Sequence, residues 1–289
     1  MRSVCRIPVA GGERAYLVHA PPAPGPLPVV VMLHGAGGTA LWTLRETRWV
    51  EAADREGFLL VLPEATRPDP SRPAGFLENP QVWNDGAADA QPPRPAVDDV
   101  GFIVALLGDL AGRYAIDAEL VYLTGFSNGA AMAFRVAAER SDRFAAVAPV
   151  AGYCHVRVPQ LVKPIPTLYM IGAADPLVPL DGGEVVSPWG RRRSWRPPVR
   201  DTLEGWARAL GCSTQRRTLE QSSGLSVEEY PGPVPFLVYT IADLGHHWPG
   251  GRGELNRRIA GPPSDRVDGC AAIWEFCRGH QRLDEPRTK

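Results

Sequence analysis

The chain is punctuated by short runs in which nearly every residue is apolar. Residues 29–33, 58–62, 120–123, 144–150 and 167–171 are of this kind. A strand covered on both faces by helices has no polar face to show, so such runs predict strands buried in a parallel sheet. Between them, residues 44–56, 98–110, 130–134, 200–210 and 265–279 read as helices. Asp98 stands where the N-cap of the second belongs, and Asp99 adds negative charge to its first turn. Residues 3–8 and 14–19 alternate around Gly11-Gly12, which predicts an opening antiparallel hairpin. Residues 227–230 and 236–241 read as late strands. Strands alternating with helices imply an α/β fold, a mostly parallel sheet with helices on both faces. No repeat or linker divides the chain, so residues 1–289 read as one domain.

Two segments keep neither period. Residues 64–97 are rich in Pro, Gly, Asp and Ala, and residues 181–198 in Gly, Pro, Arg and Trp. Unstructured segments of this length in a compact domain are usually functional or disordered. They are the expected walls of a pocket.

Gly125-Phe126-Ser127-Asn128-Gly129 lies between the apolar run at 120–123 and the helical run at 130–134. Gly-x-Ser-x-Gly at a strand-to-helix junction is the pattern of a nucleophile elbow, a sharp turn that lifts the serine hydroxyl clear of the sheet. With 30 Gly and 11 Ser in the chain, the bare pattern is expected about 0.1 times by chance. The bland alternative is a Gly-rich turn whose serine caps the helix. Other residues decide between the two.

A serine hydroxyl needs a base within hydrogen-bond reach, and the base needs an orienting partner. In an open α/β sheet such groups gather beyond the C-terminal ends of the strands. Asp175 follows the run at 167–171 in a loop of small residues, with Asp181 further on as the reserve. His246 and His247 follow the late strand at 236–241 in a Gly- and Pro-flanked loop. Neighbouring side chains point apart, so one of the two serves as base and the other does not. The chain order serine, aspartate, histidine is the order of the triad in this fold class. His34-Gly35-Ala36-Gly37-Gly38 follows the strand at 29–33. Its turn offers the Ala36 N–H, and the elbow offers the Asn128 N–H, as a pair of oxyanion donors. His34 itself reads as a structural residue that holds the turn. Trp83, Trp189, Trp195 and Trp248 lie in loops placed to ring the site. Trp248 and Trp83 are the expected substrate-lining residues among them.

These motifs together resemble the α/β-hydrolases of the polyhydroxybutyrate depolymerase and feruloyl esterase type. The residues that carry the resemblance are 33–38, 83–86, 97–102, 124–129, 172–179 and 245–251. The resemblance implies an α/β-hydrolase fold and a serine esterase. It implies that His246 rather than His247 is the base, because the family pattern is Gly-His-x-Trp-Pro-Gly. It implies a carboxylic ester as substrate, either a short hydroxybutyrate-type oligomer or a feruloyl-type ester. Peptide, thioester or lactone cleavage on the same fold is the alternative, as is a non-catalytic carbohydrate- or lipid-binding relative.

Composition narrows the partners. A net charge of −1 and a pI near 6.6 give no basic surface for nucleic acid. Arg191-Arg192-Arg193 reads as a solvated run. No apolar run approaches the ~18 residues of a membrane span, and the N-terminus lacks the apolar stretch of a signal peptide. The expectation is a soluble, cytoplasmic protein that binds a small or oligomeric ester. Cys5, Cys154, Cys212, Cys270 and Cys277 are odd in number and show no zinc spacing. They read as buried free thiols, with one disulfide as the alternative. The expected chemistry needs neither metal nor cofactor.

Overall fold

The computed structural model describes residues 1–88, 90, 92–157, 159–190 and 192–282. The chain opens with β1 (Arg2–Val9), β2 (Gly12–His19), β3 (Leu27–Leu33), α1 (Ala40–Glu46), α2 (Trp49–Glu56) and β4 (Leu59–Pro63). After a long connection come α3 (Asp99–Arg113), β5 (Ile116–Phe126), α4 (Asn128–Arg140), β6 (Ala146–Val150) and β7 (Thr167–Gly172). A short ribbon of β8 (Gly183–Val186) and β9 (Arg193–Arg196) precedes α5 (Val199–Leu210). Then follow β10 (Arg217–Gln221), β11 (Leu225–Glu229), β12 (Phe236–Ile241), α6 (Arg257–Ala260) and α7 (Gly269–Cys277).

The described residues form a ten-stranded sheet in the order β1-β2-β4-β3-β5-β6-β7-β12-β11-β10. Its centre, from β4 through β12, is parallel, and both edges are antiparallel. The wholly apolar runs form the centre: every residue of β4, β6 and β7 is buried. The expected hairpin turns at Ala10-Gly11, with Val9 opposite Gly12 at the start of β2. Side-chain alternation along β5 shows how helices cover the sheet. Tyr122 meets Trp274 of α7 edge-on, while Gly125 faces the backbone of α4 at Gly129. An odd separation puts these two residues on opposite faces, so α4 and α7 cover opposite faces of the sheet.

Three elements depart from the sequence pattern. The helix expected over 44–56 is two helices, broken at Arg48, whose φ is +59°. The hydroxyls of Thr43 and Thr47 bond back to the carbonyls four residues earlier, which weakens a helix locally. The break delivers Trp49 into the core, between Phe58 and Trp248. Residues 181–198, expected to be irregular, contain the β8–β9 ribbon, with Gly183 opposite Arg196. Arg191, in the arginine run, lies outside the described residues; Arg192 and Arg193 are exposed, as expected. Finally β10, all five residues exposed, has no apolar face to betray it. It is held by its ladder to β11 and by the Arg216–Glu228 and Arg217–Glu229 ion pairs.

Among its described residues the 64–97 connection forms no regular strand or helix, as its composition implies, but it is anchored. Asn79 is buried, and its amide donates to the carbonyls of Asp69, Arg72 and Pro73. All five cysteines are free thiols. No helix among the described residues is long and apolar enough to cross a membrane.

Asp98 caps α3 by accepting the Gly101 N–H at 2.7 Å. Asp99 does more than charge the helix terminus. Its carboxylate is wholly buried and takes Arg14 of β2 at 2.8 Å and the Asn84 N–H at 2.7 Å. The Arg14 guanidinium also lies 4.1 Å above the ring of Phe102 and donates to the Glu64 carbonyl. One buried pair thus ties the edge hairpin, α3 and the start of the long connection together. Asp99→Ala strands a buried guanidinium, and we expect a loss of about 3–5 kcal/mol in urea unfolding. A loss below about 1 kcal/mol, the worth of an exposed pair, would contradict this.

Candidate active site

Ser127 sits between β5 and α4 with φ +56° and ψ −117°, a conformation that side-chain-bearing residues rarely adopt. The strain is held by the surroundings. The Ser127 N–H donates to Val150 of the neighbouring strand, and the Ser127 carbonyl accepts from Ala131. The flanking glycines are required by space. A Cβ on Gly125 would lie 2.3 Å from the Gly129 carbonyl oxygen, and one on Gly129 would lie 2.2 Å from that of Leu33. The serine does not cap the helix with its side chain, which removes the bland reading of the motif.

Asp175 follows β7. Its Oδ1 accepts the N–H groups of Leu177 and Val178, both at 2.8 Å, which fixes the carboxylate plane. Oδ2 is left to face His246 Nδ1 at 2.7 Å. The other ring nitrogen, His246 Nε2, lies 2.9 Å from Ser127 Oγ. A carboxylate only accepts, so Nδ1 carries the hydrogen and the Nε2 lone pair faces the serine hydroxyl. The ring also packs on Phe126, and the His246 N–H is tied to the Ala260 carbonyl at 2.5 Å. Asp175 and His246 are both buried.

The neighbouring residues resolve the alternatives. His247 is wholly buried and points away; its Nε2 donates to the Gly261 carbonyl at 3.1 Å, and burial lowers its pKa. Asp181 is exposed and lines a separate depression beside α5. His34 is structural, as expected: Nδ1–H donates to the Gly35 carbonyl at 2.8 Å and Nε2 accepts the Ala65 N–H at 3.1 Å. Burial holds its pKa low, in keeping with that neutral form.

Ala36 and Asn128 come together at the cavity beside Ser127. Among the described residues neither N–H has a main-chain acceptor. The Asn128 side chain locks this corner. Its Oδ1 accepts the Trp83 N–H at 2.8 Å, and its Nδ2 donates to Asp85 Oδ2 at 2.6 Å. Asp85 is in turn gripped by Arg94 through two bonds of 2.7 and 2.9 Å. Burial opposes ionisation of Asp85, but Arg94 outweighs it and holds the carboxyl below its usual range.

Both tryptophans expected to line the site are instead buried beneath it. Trp83 is 0% exposed, and its indole N–H donates to the His34 carbonyl at 2.9 Å. Trp248 is 1% exposed, packed on Trp49 and Phe126. Their loops fold inward, so these rings brace the oxyanion turn and the histidine loop rather than meet a substrate. Trp195 is exposed away from the site.

Two cavities meet at Ser127 and His246. The larger, about 360 Å³, is apolar, with Trp42, Phe76, Phe126, Trp189, Leu255 and Ile259 among its walls. Phe76 and Trp189 bridge the two long irregular segments: their rings are 4.8 Å apart and the Trp189 indole N–H donates to the Phe76 carbonyl. The smaller cavity is polar and includes Tyr153, His155, Arg94, Asp85 and Arg196. Of these lining residues Phe126 and Asp85 lay inside motifs, and Trp189 was singled out only as a loop tryptophan. No group of three or more His, Cys, Asp or Glu side chains among the described residues is placed to hold a metal.

Residues 14–182 match the family model described as "Esterase PHB depolymerase". The protein described as "Putative esterase NocK" of Nocardia uniformis subsp. tsuyamanensis is 31% identical over 94% of this chain and 81% of its own length. Feruloyl esterase B of Talaromyces funiculosus is 28% identical over 76% of this chain and 65% of its own. Among solved structures, acetyl xylan esterase from Aspergillus awamori aligns with a TM-score of 0.58 at 14% identity, over 85% of this chain and 94% of that one. That likeness carries the fold: the α/β-hydrolase architecture. Taken with the family match, it makes this chain a member of the PHB depolymerase esterase family, an ester hydrolase built on the α/β-hydrolase fold.

Proposed function

We propose that the protein is a serine esterase with Ser127 as nucleophile, His246 as base and Asp175 as its orienting acid. The observation that carries this reading is the unbroken hydrogen-bonded line from Asp175 Oδ2 through the imidazole to Ser127 Oγ, ending where two cavities meet. Ser127 Oγ attacks the ester carbonyl carbon, and its proton passes to His246 Nε2. Asp175 stabilises the imidazolium through Nδ1–H. The carbonyl oxygen, now negative, accepts from the Ala36 and Asn128 N–H groups. Collapse breaks the bond to the alcohol oxygen, which takes the proton from Nε2. Water, deprotonated by His246, then attacks the acyl-serine and releases the acid.

The apolar cavity supports esters with one aromatic or aliphatic arm, of the feruloyl or short-polyester kind. Trp42, Phe126 and Trp189 offer ring surface for such an arm.

Three experiments test this reading. Ser127→Ala is expected to lower kcat on 4-nitrophenyl butyrate by at least 10³-fold with the melting temperature held or raised, since the strained residue contributes chemistry rather than packing. A panel of 4-nitrophenyl esters, methyl ferulate, hydroxybutyrate oligomers and peptides should show ester turnover and no peptide turnover; activity retained in Ser127→Ala, or faster peptide cleavage, refutes the proposal. Asp85→Asn, which removes the charge behind Asn128 and leaves one oxygen to serve both Asn128 and Arg94, should cut kcat about tenfold with KM nearly unchanged. That is part of the 10²–10³ lost when a whole oxyanion donor is removed. An unaltered kcat would show that Asp85 does not position the Asn128 N–H.

A further inference from the structure

The polar cavity beside Ser127 has an unbalanced charge. Its walls contain two guanidinium groups, Arg94 and Arg196, and one carboxylate, Asp85; Asp175 lies behind His246, outside the lining. Asp85 is committed to Arg94 by two bonds, which cancels that pair. Arg196, at the end of the β8–β9 ribbon, makes no ion pair or side-chain hydrogen bond among the described residues. Its Nε is shut off from solvent and has no acceptor among the described residues. Buried polar atoms nearly always have a partner, and an orphan donor on a permanently charged group is a costly arrangement. His155 lies in the same wall and supplies no counter-charge. Burial lowers its pKa, which Asp85 opposes and the two arginines reinforce, leaving a neutral ring. The Tyr153 hydroxyl donates to the Pro197 carbonyl, so its hydrogen is already used. The cavity therefore carries one net positive charge a short way from the nucleophile.

We propose that this cavity receives a carboxylate carried by the substrate, with Arg196 as its anchor. The enzyme would then act on esters that bear a free acid on one arm, while the other arm lies in the apolar cleft. A guanidinium with no carboxylate partner suits a planar, singly charged carboxylate, which its two terminal nitrogens can grip by two parallel bonds. Arg196 is a specificity residue on this view; the bond-making stays with Ser127. This proposal rests on the esterase reading above.

Paired esters that differ only in charge test it. 4-Nitrophenyl hydrogen adipate against 4-nitrophenyl methyl adipate places the acid on the acyl arm. 4-Acetoxybenzoate against methyl 4-acetoxybenzoate places it on the alcohol arm. In at least one pair the acid should show a kcat/KM at least tenfold above its methyl ester, and the ratio should fall as salt is added. Arg196→Gln should bring that ratio close to one, and Arg196→Lys should restore part of it. Because Arg196 makes no bond that the ribbon needs, both variants should melt with the wild type. Equal turnover of acid and methyl ester in both pairs overturns the carboxylate site and leaves the esterase reading standing. A preference that survives in Arg196→Gln overturns the role of Arg196. Turnover of none of the four esters overturns both readings together.

Discussion

The approach of α4 to the end of β3 is the constraint on which the site depends. Leu33 pairs with Gly125 across the β3–β5 ladder, and Gly129 then passes so close to the Leu33 carbonyl that no side chain fits between them. That contact forces the chain to reverse within one residue, and Ser127 takes the left-handed conformation as the cost. It also sets the first turn of α4 against the loop that leaves β3. Ala36 and Asn128, far apart in sequence, thereby line one cavity. Ser127 and the N–H groups of Ala36 and Asn128, the proposed nucleophile and oxyanion donors, are fixed by the same piece of backbone packing.

Around this core the polar groups fall into two closed sets. Asp175, His246 and Ser127 form one, with Asp175 anchored by two main-chain N–H groups. Arg94, Asp85, Asn128 and the Trp83 backbone form the other, beneath the oxyanion corner. Each set satisfies its own charges, which is what burial demands. Arg196 belongs to neither, and its isolation is visible only because the other charges are accounted for.

Much of this was legible in the sequence, and the limits have physical causes. The central strands were readable because burial on both faces leaves no polar residue in β4 or β7 beyond Thr167, whose hydroxyl bonds locally. Ser127, Asp175 and the 34–38 turn could be picked out as candidates because each follows a strand, where the fold gathers its chemistry. Choosing His246 over His247 needed the family pattern, since adjacency alone leaves the pair equivalent. β10 was hidden because an exposed edge strand has no apolar period. Trp83 and Trp248 were misplaced because a loop tryptophan looks the same in sequence whether its loop folds outward or in. Phe76, Leu255 and Arg196 reach the cavities from segments whose path is set by tertiary contacts such as the Trp189–Phe76 bond, which no local pattern encodes.

Covalent labelling with a fluorophosphonate, followed by intact-mass measurement and peptide mapping, tests the central claim most directly. A hydroxyl activated by His246 should take one phosphonyl group, located on the peptide that carries Ser127, and the reaction should stop after one equivalent. An unlabelled protein, or an adduct mapped to any other residue, would contradict the assignment of Ser127 as nucleophile.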